Sequence, residues 1–217
     1  MTVVTALYAG VLRPLAPEDQ RTGIFKSPRP NAKITDNGIS GDEHADRRDH
    51  GGPEKALHQY AIDSYDKIMS AYPELKGVAV PGSIGENISA TDMNDANVCI
   101  GDCYQIGAAI VQVSQPRSPC WKIDRRFGVE RLSAYVEKQC ITGWYYRVIE
   151  TGTVHVRDSI ELLDRPNENV PVAYFMRVIT EHRPDSLTLD ELIACRGLAE
   201  EWKTRLKNRR KYLRTAV

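Results

Sequence analysis

The chain has 217 residues, of which 41% are hydrophobic and 27% charged, and its formal net charge is zero. These values are typical of a folded globular protein with one domain of ordinary size and a small additional unit, and they exclude a disordered or fibrous chain. The zero net charge gives no electrostatic indication of a nucleic-acid partner.

Targeting signals and disulfides are also not expected. No apolar run is long enough to cross a bilayer, and Arg13-Pro14 interrupts the apolar N-terminal stretch too early for a signal peptide. The cysteines are odd in number and follow no framework spacing, so we expect reduced thiols in a cytoplasmic protein. The five are Cys99, Cys103, Cys120, Cys140 and Cys195.

The first thirty residues predict a strand and then a loop. Residues 2–12 are rich in β-branched and aromatic residues, which favour a strand. Residues 13–30 carry prolines and glycines and are typical of a surface loop. In an alternative interpretation, Lys26 reaches from this loop toward an anionic ligand.

A charged segment with a glycine pair follows a turn at residues 38–42. In His50-Gly51-Gly52, the glycines would let the backbone approach a ligand closely and present N–H groups to an anion. His50 and Lys55 would add charge-assisted donors to a phosphate. A glycine pair more often forms only a turn, and we do not expect zinc binding by His44 and His50.

Two elements separate this segment from the middle of the chain. Residues 63–72 predict an amphipathic helix with Asp63 as its N-cap and a buried stripe that begins at Tyr65. In Gly85-Glu86-Asn87, the two polar side chains either hydrogen-bond a ligand or satisfy backbone groups at the start of a strand.

The most informative stretch is residues 111–122, VQVSQPRSPCWK. It begins with the period-two alternation of a strand, and Pro116 and Pro119 then stiffen the loop that follows. This loop presents Arg117, Ser118 and Cys120. A thiol beside cations is where a lowered thiolate pKa is expected, and where a soft metal or an electrophile would bind. A buried cysteine in a proline-rich turn is the structural alternative.

The rest of the chain predicts further strands and then helices. Residues 129–139 predict a helix, and short strands around residues 144–148, 154–156 and 160–163 complete a mostly antiparallel β-structure. Many short strands with few helices predict a β-barrel. We place a domain boundary near residue 165, so that residues 1–165 form the mainly β domain and residues 166–217 form a small all-α domain of three helices.

Several of these motifs resemble one known family. Gln115-Pro116-Arg117-Ser118-Pro119-Cys120, the His50-Gly51-Gly52 segment after a G-x-x-G-D turn, and Gly85-Glu86-Asn87 are similar to the MOSC domain. The chain resembles in particular the bacterial MOSC proteins that confer resistance to N-hydroxylated base analogues (the YiiM type), and this resemblance extends over nearly the whole chain. It implies a MOSC-type β-barrel with a few peripheral helices.

The resemblance also implies a function. It predicts a molybdenum-cofactor-dependent reductase of N-hydroxylated bases and base analogues, acting in detoxification, with Cys120 as catalytic residue and molybdenum ligand. The residues expected to hold the molybdenum cofactor (molybdopterin) are Lys26, His50, Gly51, Gly52, Lys55, Glu86, Asn87, Arg117 and Ser118. No flavin, haem or iron–sulfur pattern is visible, so the electrons must come from an external reductase.

Two alternatives remain open at this point. The first is a non-catalytic carrier of the molybdenum cofactor, and the second is a hydrolase with Cys120 as nucleophile and His50 or His58 as base. The expected partners are a small-molecule N-hydroxylated substrate and the external reductase, with a homodimer left open. Neither a membrane nor a nucleic acid is expected as a partner, and the basic helix predicted at residues 200–214 is treated as a solvated surface.

Overall fold

A computed structural model describes residues 1–45 and 51–215 of the chain. The strands are β1 Val4–Ala9, β2 Arg13–Leu15, β3 Gln20–Thr22, β4 Ser27–Arg29, β5 Asn31–Thr35, β6 Gly38–Ile39, β7 Leu57–Gln59, β8 Ile88–Ala90, β9 Cys103–Ile106, β10 Ala109–Pro116, β11 Trp144–Glu150, β12 Gly152–His155 and β13 Ile160–Asp164. The helices are α1 Ile62–Ala71, α2 Lys122–Phe127, α3 Leu132–Lys138, α4 Val172–Thr180, α5 Ser186–Ala194 and α6 Glu200–Thr215.

The main sheet has eight strands in the order β13-β9-β10-β11-β7-β8-β1-β4. Its neighbours pair antiparallel except for β7 and β8, which pair parallel at Gln59 and Ile88, so the sheet is mixed. Strands β12, β5 and β6 form a second sheet, and β2 with β3 forms a hairpin. The predicted abundance of short strands is therefore confirmed.

The predicted closed barrel is not confirmed. Within residues 1–45 and 51–215, no continuous ladder joins the two outer strands of the main sheet, β13 and β4. The two ends of the main sheet approach one another at an isolated bridge between Val3, just before β1, and Ser159, just before β13. Backbone hydrogen bonds flank this bridge, one of them from Ile160 N to Thr2 O at 3.0 Å. The structure is thus a curved mixed sheet with six helices.

Strand β10 is the longest of the main sheet, and it ends where the proline-rich loop begins. Val111 and Val113 are buried, as the alternation predicts. The strand continues to Pro116, which is paired with Trp144 of β11. The N–H of Arg117 then donates to the carbonyl of Gly143 at 3.0 Å. The missing N–H of Pro116 therefore does not end the pairing, because the next residue supplies a donor.

Three local predictions are wrong. Residues 13–30 form β2, β3 and β4 instead of an irregular loop. The sequence of residues 124–128 predicts a charged connector, but residues 122–127 form α2, which ends at Gly128 with φ 68°, a conformation that glycine adopts without strain. The N-cap of α1 is Ala61, with no side-chain hydrogen bond, and not Asp63.

The three C-terminal helices share the apolar core of the main sheet. Phe175 of α4 and Trp202 of α6 pack edge to face, with ring centroids 5.3 Å apart. Their cluster also contains Trp144 and Tyr146 of β11. A second cluster lies under α1, α2 and α3 and includes Tyr65 and its stripe partner Ile68. The proposed boundary at residue 165 stays a prediction, but the packing across it is extensive.

Among the helices of the described chain, none combines the length and the apolar character that a bilayer crossing requires.

A buried carboxylate joins the sheet to the segment that leads to the helices. Asp102 is fully buried and accepts hydrogen bonds from the backbone N–H of Cys99 at 2.9 Å and the hydroxyl of Tyr104 at 2.8 Å. Arg165 completes the group with Nε at 3.0 Å and Nη2 at 2.7 Å. Because the bond to Asp102 outweighs desolvation, the pKa of Arg165 is raised further and the guanidinium stays charged.

We predict that Arg165→Met destabilises the fold by roughly 2–4 kcal/mol, because it leaves the Asp102 carboxylate buried without its cation. One third of the Arg165 side chain is exposed, which keeps the expected loss below that of a fully buried pair. Chemical denaturation measures the change, with Arg13→Met on the exposed part of β2 as the control. Equal stabilities of the two variants would contradict the prediction.

Candidate functional site

The loop after β10 borders a cleft of about 540 Å³ that is open to solvent. We call it the first cavity. Its walls come from the β3–β4 connection, the ends of β7 and β11, the turn before β8 and the cysteine loop. The residues are Thr22, Gly23, Ile24, Lys26, His44, Ala45, His58, Ile84, Gly85, Asn87, Arg117, Cys120, Lys122 and Tyr145.

Cys120 is a free, partly exposed thiol at the edge of this cleft. The pairing of β10 with β11 fixes the start of its loop, and its carbonyl accepts the N–H of Ile123 at 3.0 Å at the beginning of α2. The loop is therefore anchored at both ends, which holds the sulfur in place. The expectation of a buried, inert thiol does not describe this position.

Arg117 lies deeper in the same cleft and is only 5% exposed. Its Nη2 approaches the carbonyl of Ile84 at 3.5 Å, but its Nη1 is buried without a hydrogen-bond partner in the described part of the chain. A buried guanidinium donor without an acceptor costs free energy. The arrangement therefore favours a bound anion or another strong acceptor in the cavity.

Asp42 organises the opposite wall. Its buried carboxylate accepts from Lys26 Nζ at 2.6 Å, Asn87 Nδ2 at 2.9 Å and the backbone N–H of Gly10 at 2.8 Å. His44 Nε2 lies 3.6 Å from the same carboxylate. Burial lowers the pKa of Lys26, and the pairing with Asp42 opposes that effect. The ammonium is thus partly compensated before any ligand arrives.

Two aromatic side chains from neighbouring strands form the floor. His58 of β7 and Tyr145 of β11 are register partners, and their ring centroids lie 5.3 Å apart. Burial raises the pKa of Tyr145, while Arg117 lowers it, so the phenol stays protonated near neutral pH.

Gly143, next to His58 in the structure, has φ 72°. A Cβ there would come within 2.4 Å of Gln59 O and 3.2 Å of His58 Nε2, so this turn requires glycine.

Asp95 holds the turn that contains Gly143. Its Oδ1 accepts the N–H of Gly143 at 2.8 Å, and Oδ2 is buried with no hydrogen-bond partner in the described structure. Burial raises the pKa of Asp95 to about 7. The carboxyl group therefore supports the residue that in turn anchors Arg117.

A second cavity of about 620 Å³ lies on the other side of Cys120, against α6. It is lined by Lys55, Gln115, Ser118, Pro119, Cys120, Tyr145, Glu201, Trp202 and Arg205. Cys120 and Tyr145 belong to both cavities. The thiol thus stands between two spaces that are both open to solvent.

The structure brings together some of the predicted site residues and separates others. Lys26, Asn87, Arg117 and Cys120 line the first cavity, whereas Lys55 and Ser118 line the second. Of the other predicted residues that the structure describes, Gly51, Gly52 and Glu86 line neither cavity.

Glu86 is fully buried and lines neither cavity. It accepts from the hydroxyl of Tyr65 at 2.6 Å, and burial raises its pKa. The structural alternative, a role in supporting the loop, describes it better than ligand contact. Gly51 and Gly52 do not occur among the residues that line the two cavities, although Gly52 has φ 90°. His50 lies outside the described residues.

Sequence reasoning did not select Asp42 or Tyr145 as site residues, and it interpreted Asp42 only as part of a turn. His44 was considered only for a zinc pair that we do not expect. His58, a residue of β7, was considered only as the base of the alternative hydrolase. Tyr145 had no local signal, since its place at the site follows from the pairing of β7 with β11. The sequence likewise did not predict that α6 forms a polar wall of the second cavity.

Comparison with known proteins defines the class to which this fold and site belong. Residues 46–161, more than half of the chain, match the model of the MOSC domain. The chain belongs to the MOSC-domain family.

Three relatives show the extent of the similarity. The chain is 33% identical to the uncharacterized protein YflK of Bacillus subtilis over 84% of this chain and 81% of that one. It is 33% identical to protein YiiM of Escherichia coli over 82% and 79%, respectively. It is 39% identical to a protein named reductase from Gibberella moniliformis over 74% of this chain but 28% of that longer protein.

The fold agrees with this assignment. The crystal structure of E. coli YiiM superposes with a TM-score of 0.81 at 26% identity, covering 97% of this chain and 93% of the other. The predicted resemblance to MOSC proteins of the YiiM type is thereby confirmed.

We predict that Asp95→Asn stabilises the protein at pH 8 by on the order of a few kcal/mol and leaves it unchanged near pH 4. The folded protein retains the Asp95 proton up to about pH 7, whereas the unfolded chain releases it near its ordinary pKa of 3.8. Stability from this group is therefore lost as the pH rises through that window, and asparagine removes the loss.

Thermal unfolding of both proteins between pH 4 and pH 8 checks this, with Asp36→Asn at an exposed position as the control. Parallel pH profiles for wild type and Asp95→Asn would show that the raised pKa is not expressed in stability.

Proposed function

We propose that this protein is a molybdenum-cofactor-dependent reductase of N-hydroxylated compounds, with N-hydroxylated bases and base analogues as the substrate class. The observation that carries the proposal is the position of Cys120, a free and partly exposed thiol between two cavities. The unpartnered Nη1 of Arg117 lies in the first of them. A soft ligand beside a buried cation is the donor set that a metal carried by a phosphorylated pterin requires.

The residues of the first cavity fit such a cofactor. The Cys120 thiolate would ligate molybdenum. Arg117 would bind the phosphate or pterin through Nη1, assisted by the Lys26–Asp42 pair. The side chain of Asn87 is already engaged with Asp42 and the carbonyl of Tyr8, so it would shape the wall more than bind the ligand.

The reaction is a two-electron reduction in which the N–O bond breaks. Two electrons and two protons convert the N–OH group into N–H and water. The bound cofactor would supply the two-electron redox chemistry, and an external reductase would supply the electrons. We place this detoxification in the cytoplasm.

The protein's own contribution is orientation and a proton donor. Tyr145 lines both cavities together with Cys120, and burial raises the pKa of its phenol, which stays protonated near neutral pH. It can donate a hydrogen bond to the oxygen that leaves the substrate nitrogen. The ring of His58 packs against that of Tyr145 and holds the phenol in place.

The relatives support this choice. The family is associated with molybdenum-cofactor binding, and a protein named reductase aligns with three quarters of this chain. A cofactor carrier without catalysis would use the same first cavity. Turnover of an N-hydroxylated base by the loaded protein with an artificial electron donor separates the two functions.

We predict that Cys120→Ser removes bound molybdenum and abolishes N-hydroxy reduction while the fold is retained, because a hydroxyl is a poor substitute for a soft thiolate ligand. The measurements are metal content and activity after expression in a host that makes the cofactor, with circular dichroism as the test of folding.

Cys103→Ser is the matched control, since Cys103 is also a partly exposed free thiol but lies on β9 away from both cavities. It should keep both molybdenum and activity. Full molybdenum content in folded Cys120→Ser would refute the ligand role.

We further predict that Arg117→Met lowers the retained pterin and molybdenum severalfold in a protein that stays folded by circular dichroism. The substitution removes Nη1, which has no partner in the described structure, and the long 3.5 Å contact of Nη2 with Ile84 O, so the loss of folding free energy is small compared with the loss of cofactor binding. Arg125→Met, at an exposed position of α2, is the comparison. Normal cofactor content in Arg117→Met would mean that the guanidinium serves another ligand.

A further inference from the structure

The second cavity contains a buried polar atom that the protein leaves without a partner. Gln115 is 3% exposed, at the end of β10, and its Oε1 has no hydrogen-bond partner within the described chain. The side chain lines the second cavity, two residues before Arg117 and five before Cys120. An orphaned buried acceptor costs free energy unless a ligand supplies a donor.

The surrounding wall is polar, and its two cations share one carboxylate. Lys55 Nζ lies 3.2 Å from Glu201 Oε2, and the guanidinium of Arg205 lies 4.0 Å from the same carboxylate group. One positive charge is therefore in excess, which disfavours a cationic ligand. A ligand with hydrogen-bonding groups and no positive charge fits this wall.

Arg205 and Trp202 together present a flat surface to the second cavity. The guanidinium of Arg205 stacks over the ring of Trp202, with its carbon 4.5 Å from the ring centroid. A guanidinium held in this way presents a plane against which a planar ligand can stack. The orphaned acceptor, the excess positive charge and this plane together describe a planar ligand that is not cationic and that carries an N–H or N–OH donor.

We infer that the second cavity is the substrate site and that Gln115 recognises the N–H or N–OH donor next to the N–O bond that is reduced. The inference rests on the proposed reductase function and deepens it. The substrate would approach Cys120 from the side of α6, while the first cavity holds the phosphorylated cofactor. Helix α6 then completes the site, since Glu201, Trp202 and Arg205 form one of its walls.

The test is the isosteric variant Gln115→Met, which keeps the volume of the side chain and removes the acceptor. The probes are adenine that carries an exocyclic hydroxylamino group and adenine itself, measured by equilibrium dialysis with the cofactor-loaded protein. We expect binding of the hydroxylated probe to weaken about tenfold, and by less for adenine. Molybdenum content should stay at the wild-type level, and the melting temperature should not fall.

Gln105→Met is the matched control, because Gln105 is an exposed glutamine of β9. It should bind both probes as the wild type does. A second pair, Arg205→Ala with Lys207→Ala as its control, tests the cavity at exposed positions of α6 where misfolding is not expected. We expect Arg205→Ala to weaken binding of the hydroxylated probe severalfold and Lys207→Ala to leave it unchanged.

The outcomes separate this inference from the proposed function. Wild-type protein without molybdenum and without reduction would contradict the proposed function, whatever the probes do. Wild-type protein that contains molybdenum and reduces the probe, but binds it equally well in Gln115→Met and Arg205→Ala, overturns the inference alone. Loss of molybdenum in folded Gln115→Met would also overturn it, because Gln115 would then belong to the cofactor site.

Discussion

The site depends on one backbone hydrogen bond, from the N–H of Arg117 to the carbonyl of Gly143. It carries the pairing of β10 with β11 past Pro116, which itself has no donor. The guanidinium is thereby held inside the first cavity, and Cys120 follows three residues later at the border of both cavities. Asp95 secures the other side of this bond through the N–H of Gly143.

The surroundings of the thiol contain several buried polar groups that the described chain does not satisfy. Arg117 Nη1 and Gln115 Oε1 point to ligands in two different cavities, while Asp95 Oδ2 lies behind the first. Unsatisfied groups of this kind reduce stability, and a ligand in each cavity would restore the missing hydrogen bonds of Arg117 and Gln115. Other buried groups without a partner in the described chain, such as Ser64 Oγ and Ser89 Oγ, line neither cavity. Asp102, by comparison, has a full set of partners and holds the fold.

The C-terminal helices are part of the same structure as the sheet. Phe175 and Trp202 lie in the cluster that contains the sheet core, so α6 cannot be displaced without exposing apolar surface. The same helix turns Glu201 and Arg205 toward the cysteine loop. A segment whose sequence is typical of a solvated basic helix therefore carries one buried face and one face toward a cavity.

The sequence by itself determined the local elements and the chemistry of the central loop. The alternation of buried and exposed side chains identified β10, and the hydrophobic stripe that begins at Tyr65 identified α1. Cys120 and the cations near it identified the loop at the site, and the motif around Cys120 indicated the family. These signals are short in range, because they depend on neighbouring residues and on one period of a strand or helix. The tertiary structure alone decided that the sheet is not a closed barrel and that Glu86 faces Tyr65. It also decided that His58 and Tyr145 line the same cavity as Cys120, and that Asp42 holds Lys26 at its wall. It also created the second cavity, since Gln115 and α6 are about ninety residues apart and only packing brings them together.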